Sequence, residues 1–82
     1  MSTLIKVTPG EWVEVTVPDE SWPVQMQFSD ARPEPAFVDH RVNTRGKVET
    51  VARRRCPELA PGRYRVKVFT PDGVLTEQVQ VG

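Results

Sequence analysis

A single cysteine and a single histidine among 82 residues leave little reactive chemistry to arrange. Cys56 has no partner for an internal disulfide, so burial alone must hold the fold, in a size range where a core supplies only about 3–5 kcal/mol. His40 is the one imidazole, and any Ser-His-Asp or Cys-His arrangement would have to use it. It lies between Asp39 and Arg41 in a stretch without pattern, where a solvated loop residue is the plain reading. No Gly-x-Ser-x-Gly elbow and no phosphate-cradling glycine loop is present. Asp39, His40 and Cys56 have neither the C-x-x-C nor the H-x-x-x-H spacing of a metal site. The expectation is a protein that is not an enzyme and holds no cofactor or metal. Cys56 follows three arginines, which would depress its pKa if it were exposed, whereas a lone cysteine more commonly serves as a small, partly buried hydrophobe.

Long apolar runs are also missing, so no membrane span is expected, and the N-terminal MSTLIKVTPGEW lacks the apolar centre of a signal peptide, so secretion by that route is not expected. There is no net charge either. Eleven basic residues balance eleven acidic ones, which argues against a generic nucleic-acid binder with surplus cations. The length allows one small domain spanning residues 1–82 and no second core. A hydrophobic fraction of 38% is low, but the apolar residues alternate rather than scatter, which favours a packed fold over disorder.

What the chain does have is period-two alternation, which places successive side chains on opposite faces of a sheet. Val13, Val15 and Val17 form one stripe, with Trp12, Glu14 and Thr16 on the other side. Trp22, Val24, Met26 and Phe28 form a second, in which Pro23 points to an edge strand or to a strand that starts after it. Tyr64, Val66 and Val68 form a third, opposite Arg63, Arg65 and Lys67. Leu75, Val79 and Val81 belong to a fourth. Thr70-Pro-Asp-Gly73 joins the last two and has the backbone preferences of a tight hairpin turn. Weaker strands are expected over Leu4–Thr8, ended by Pro9-Gly10, and over Lys47–Arg53. No stretch shows a helical pattern. Ser29–Gly46 has no clear periodicity and contains Arg32-Pro-Glu-Pro35, so a long loop is expected over 29–46, either packed in part by Phe37 and Val38 or free as a contact arm.

The run Leu59-Ala-Pro-Gly-Arg-Tyr-Arg-Val-Lys-Val68 resembles the L-x-P-G-x-Y-x-V-x-V corner of fibronectin type III and related immunoglobulin-like domains. The resemblance covers about ten residues. It implies an all-β fold, a small immunoglobulin-like antiparallel β-sandwich of about six to seven strands. It also implies that Tyr64 is a corner tyrosine bonding back to the turn, that Leu59 plugs the core, and that Trp22 is a core tryptophan.

Charge is unevenly distributed. Residues 1–40 hold two basic and seven acidic groups, residues 41–67 nine basic and two acidic, and the remainder Asp72 and Glu77. Two readings stay open: acidic and basic surfaces that dock on a charged partner or on other copies, or cross-strand pairing, for example of Arg63, Arg65 and Lys67 with Glu77. Arg53-Arg-Arg55, with Arg41, Arg45 and Lys47, is a basic knot with few interleaved aromatics to stack on bases. Trp12 falls opposite a valine stripe, so it either lies in a strand buried on both sides or marks a contact. The candidate partner-binding residues are Trp12, Arg32, Phe37, Arg41, Arg45, Arg53, Arg54 and Arg55. The functional expectation is a non-enzymatic structural or interaction module docking on a larger protein assembly. By likeness in fold and size it would be a bacteriophage virion accessory protein, a capsid decoration or small tail component, found in the virion or the host cytoplasm. The alternative is a small regulatory or inhibitory protein that binds a nucleic-acid enzyme, or nucleic acid, through the arginine-rich segment.

Overall fold

Eight strands, and no helix among the described residues, make up the chain in a computed structural model that describes residues 4–82. The expectation of one domain over 1–82 includes residues 1–3, which lie outside the described residues. The strands are β1 (Ile5–Val7), β2 (Trp12–Val17), β3 (Gln25–Phe28), β4 (Glu34–Pro35), β5 (Phe37–Val42), β6 (Val48–Arg55), β7 (Gly62–Thr70) and β8 (Gly73–Val81). They form a five-stranded sheet in the order β1-β8-β7-β3-β4 and a three-stranded sheet in the order β2-β6-β5.

The alternating stripes become the two inner faces. Val13, Val15, Val17 and Ala52 of the smaller sheet pack with Val7, Met26, Phe28, Val66, Val68, Val79 and Val81 of the larger one. Each fully buried valine contributes roughly 1.5–3 kcal/mol relative to an exposed one, so these short repeats supply most of the drive to fold. Leu59 and Tyr64 pack against this core from its margin, and Tyr64 Oη donates a 2.7 Å hydrogen bond to the Ala60 carbonyl. The phenol thereby fastens the Pro61-Gly62 turn to the strand that follows it. The β7–β8 hairpin forms at Pro71-Asp72, with Thr70 opposite Gly73. Thr70 Oγ1 donates to the Gly73 carbonyl and accepts from the Asp72 N–H.

Four expectations need correction. The count is eight strands rather than six to seven, and the sandwich is not wholly antiparallel, because β1 pairs with β8 in parallel. Residues 29–46 are not one long loop: they contain β4 and β5, and β5 is antiparallel to β6 from Phe37↔Arg53 to Val42↔Val48. The turn that follows is closed by Asn43, whose N–H donates to Lys47, whose carbonyl accepts from Gly46, and whose Oδ1 accepts from the N–H groups of Arg45 and Lys47. Gly46 takes φ +77°, a left-handed backbone that favours glycine. Finally, Trp22 is not a core residue: it is 74% exposed. The apolar stripe starts at Val24, next to the first ladder position of β3. Trp22, joined to Pro23 by a cis peptide, still belongs to the preceding turn, where buried Ser21 takes the inward position and donates to the Pro18 carbonyl.

Candidate functional site

Alternation sorts the candidate residues by face. On β2, the odd positions point into the core, so Trp12, Glu14 and Thr16 project from the outer face of the three-stranded sheet. The register places Arg55 beside Trp12, Arg53 between Glu14 and Phe37, Val51 between Thr16 and Asp39, and Glu49 beside Arg41. Five of the eight candidates, Trp12, Phe37, Arg41, Arg53 and Arg55, therefore share one surface.

Its centre is aromatic and cationic. The Trp12 and Phe37 rings meet edge to face at 5.8 Å between centroids, across the width of the sheet. The guanidinium carbons of Arg53 and Arg55 lie 4.7 and 4.6 Å from the Trp12 ring centroid, within range of cation–π attraction. Arg55 Nη1 also donates to the Gly10 carbonyl at 2.9 Å, which ties the strand to the turn before β2. Trp12 is half-buried by these neighbours, whereas Phe37 is 70% exposed.

Around that centre the charges close on one another. Arg53 Nε lies 2.9 Å from Glu14, in ion-pair contact but off the line of its N–H, and Arg53 Nη1 is 3.6 Å from Asp39. Arg41 pairs with Glu49 at 3.0 Å and with Glu14 at 3.5 Å. Arg41 thus reaches from β5 to β2, and Val51, between Thr16 and Asp39 on the same face, is buried although it points away from the core. The acidic residues of β2 and β5 thus meet the arginines of β5 and β6. These pairs are substantially exposed, so each adds at most about 1 kcal/mol. Their larger effect is to hold the long side chains flat on the sheet.

Arg54 is not part of this surface. It lies opposite Val13 on the inner side, with Nη1 donating to the Met26 carbonyl at 3.0 Å and Nη2 to Glu34 at 2.7 Å. Its guanidinium carbon lies 5.1 Å from the Phe28 ring centroid. Arg32, between β3 and β4, and Arg45, in the β5–β6 turn, are exposed and apart from the cluster. Treating Arg53-Arg-Arg55 as one basic knot is therefore a mistake: a strand sends its members to alternate faces.

The free edge of β5 is guarded. Asp39 Oδ1 accepts the N–H of His40 at 2.8 Å, so a side chain occupies a backbone donor that another strand would need. His40 itself is exposed, opposite Thr50. Cys56 lies six positions along the chain from Thr50, roughly 20 Å in an extended strand, and is buried in the core, so the two are not neighbours. Burial, and then the carboxylates of Glu11 and Glu58, push the Cys56 thiol above its ordinary pKa, with Arg54 opposing. The thiol therefore takes the buried, hydrophobic role rather than that of an exposed group activated by the arginines.

A second basic surface, not anticipated as a site, lies on the outer face of the five-stranded sheet. Arg63, Arg65 and Lys67 project from it in a row along β7. Glu77 pairs with Val66 and so points to the other side, which removes the expected cross-strand pairing with these cations. The signal was present in the sequence as three cations at alternate positions of one strand. No family model matches the chain, and no curated protein matches it.

Proposed function

We propose that the protein is a non-enzymatic interaction module that docks on a larger protein assembly through the outer face of its three-stranded sheet. The observation that carries this proposal is the Trp12–Phe37 pair: two aromatic rings in contact on a solvent-facing sheet surface, held by Arg53 and Arg55. Aromatic residues and arginine are the types that dominate the centres of protein interfaces, and the surrounding ion pairs suit a polar rim. Phe37 in particular would bury most of its ring only against a partner.

The assembly we favour is a bacteriophage virion, with the protein as a capsid decoration or small tail component of immunoglobulin-like type. This rests on the two-sheet architecture and the tyrosine bond at the Pro61-Gly62 corner, and it is an inference by likeness of fold. The alternative, binding of nucleic acid or its enzymes through residues 41–55, is weakened because Arg41, Arg53 and Arg54 already pair with carboxylates.

The test is co-sedimentation of the tagged chain with particles from the host that carries its gene, compared with W12S and F37S variants. Particle-bound wild type and soluble variants of unchanged fold are expected. Wild-type protein found only in the soluble fraction would sink the proposal.

A further inference from the structure

The outer face of the five-stranded sheet carries charge of one sign. The ladder places Lys6, Gln80 and Arg63 in one row, Gln78 and Arg65 in the next, and Thr76, Lys67 and Gln27 in a third. No carboxylate occupies any outward position of this ladder: Glu77 and Glu34 pair with Val66 and Met26 and so lie on the other side. Among the described residues, the ion pairs engage Arg41, Arg53 and Arg54, and none involves Lys6, Arg63, Arg65 or Lys67. Glu11 lies near Lys6 on the rim of the face, where its carboxylate, held ionised by two bonds from Thr8, offsets part of the Lys6 charge. Among the described residues, a chain with no net charge therefore presents Arg63, Arg65 and Lys67 without ion-pair partners on one exposed side, with Lys6 beside them.

We propose that this face binds the phosphate backbone of a double-stranded nucleic acid, without reading its sequence. The chemistry of the surface selects that occupant. Arginine and lysine interspersed with glutamine and threonine are the side chains that contact phosphate oxygens. Apolar residues of this face, Phe69 and Val74, form a fourth row at the hairpin end of the sheet, so the three cationic rows have no apolar anchor at their centre, which a protein partner would need, and lysine is depleted at protein interfaces. Phe69, at one end of the face, is the one aromatic residue in its outward ladder positions, too few for the platforms on which single strands stack. From Arg63 to Lys67 the strand covers roughly 13 Å, and Lys6 lies about 10 Å to the side, two strands away. A duplex carries about eight phosphate charges along that length, enough to engage all four cations.

This proposal is independent of the Trp12 face, which lies on the other sheet. The two together would make the protein a bridge between a protein assembly and nucleic acid.

The experiment measures fluorescence anisotropy of an arbitrary 30-base-pair DNA duplex, its single strand, and polyglutamate as competitor, across a salt series starting at 20 mM. Wild-type protein is expected to bind the duplex with a log–log salt slope of roughly −3 to −4, one counterion per cation. A triple variant, R63Q/R65Q/K67Q, is expected to lose at least about tenfold in affinity at low salt. The single variant R65Q is expected to reduce the slope by about one. It serves as the readout if the triple variant does not fold, as judged by circular dichroism. R32Q, in the exposed segment between β3 and β4, should bind as wild type. No duplex binding at 20 mM salt, equal binding by wild type and R65Q, equal binding of the single strand, or tighter binding of polyglutamate would each overturn the proposal.

Discussion

Arg54, on the smaller sheet, donates a hydrogen bond to the backbone carbonyl of Met26, on the larger one, and so ties the two layers together at 3.0 Å. The same guanidinium reaches Glu34, and its side chain is only 15% exposed. A charged donor on a shielded carbonyl is worth more than an exposed ion pair. R54A is expected to destabilise the fold by about 2–3 kcal/mol in urea titration. R54K should recover only part of this, because one ammonium cannot present a planar fork to both acceptors. A loss no greater than that of R55A, whose contacts lie at the surface, would contradict this role.

Tyr64 offers a narrower test of the corner. Y64F keeps the ring against the core and removes only the 2.7 Å bond to Ala60. The expected cost is about 0.5–1.5 kcal/mol. For a domain of this size that corresponds to a drop of roughly 2–12 °C in Tm by calorimetry. An unchanged Tm would mean that solvent replaces the bond without loss.

The stripes that became the core were legible because each had one face to bury. Val13-Val15-Val17 and Tyr64-Val66-Val68 alternate for that reason, and their strands lie where the alternation placed them. β5 escaped notice for the converse reason. It is an edge strand in which only Val38 packs against the core while Asp39, His40 and Arg41 all meet solvent, so period two is too short to see. The turn that ends it was nevertheless written in Asn43-Thr-Arg-Gly46. Trp22 failed differently, because extrapolating a stripe by one more step ignored that the ladder stops before it. The candidate surface was half legible. The residue types were right, but a contiguous triplet of arginines cannot share a face on a strand, and which carboxylates would neutralise them depended on the β2-β6-β5 order, which is a tertiary fact.

Glu11 makes a pH prediction. Its carboxylate accepts from both the N–H and the hydroxyl of Thr8, each at 2.7 Å, and these bonds hold its pKa below the ordinary carboxylate value. A carboxyl group with a depressed pKa in the folded state binds fewer protons there than when unfolded. Its stabilising effect is therefore complete above the unfolded pKa, about 4.3, and is lost as the pH falls through the folded value. Urea titrations of wild type and E11Q should differ at neutral pH, with the wild type more stable, and converge in acid. A gap that stays constant from pH 7 to pH 3 would show that the carboxylate is not the responsible group.

Cys56 reports on the same corner from inside. Its backbone exchanges hydrogen bonds with the turn before β2, donating to the Glu11 carbonyl and accepting from the Gly10 N–H, while its side chain packs in the core. Reaction of a thiol proceeds through the thiolate, and here burial and two neighbouring carboxylates disfavour that form. Native protein is expected to react with a disulfide reagent at pH 8 far more slowly than urea-unfolded protein, and the rate should rise along the unfolding transition. Reaction of the native thiol at the speed of a small free thiol would mean that the β2–β6 corner opens without global unfolding. It would then count as the least stable part of the sandwich, despite the Arg55–Gly10 bond beside it.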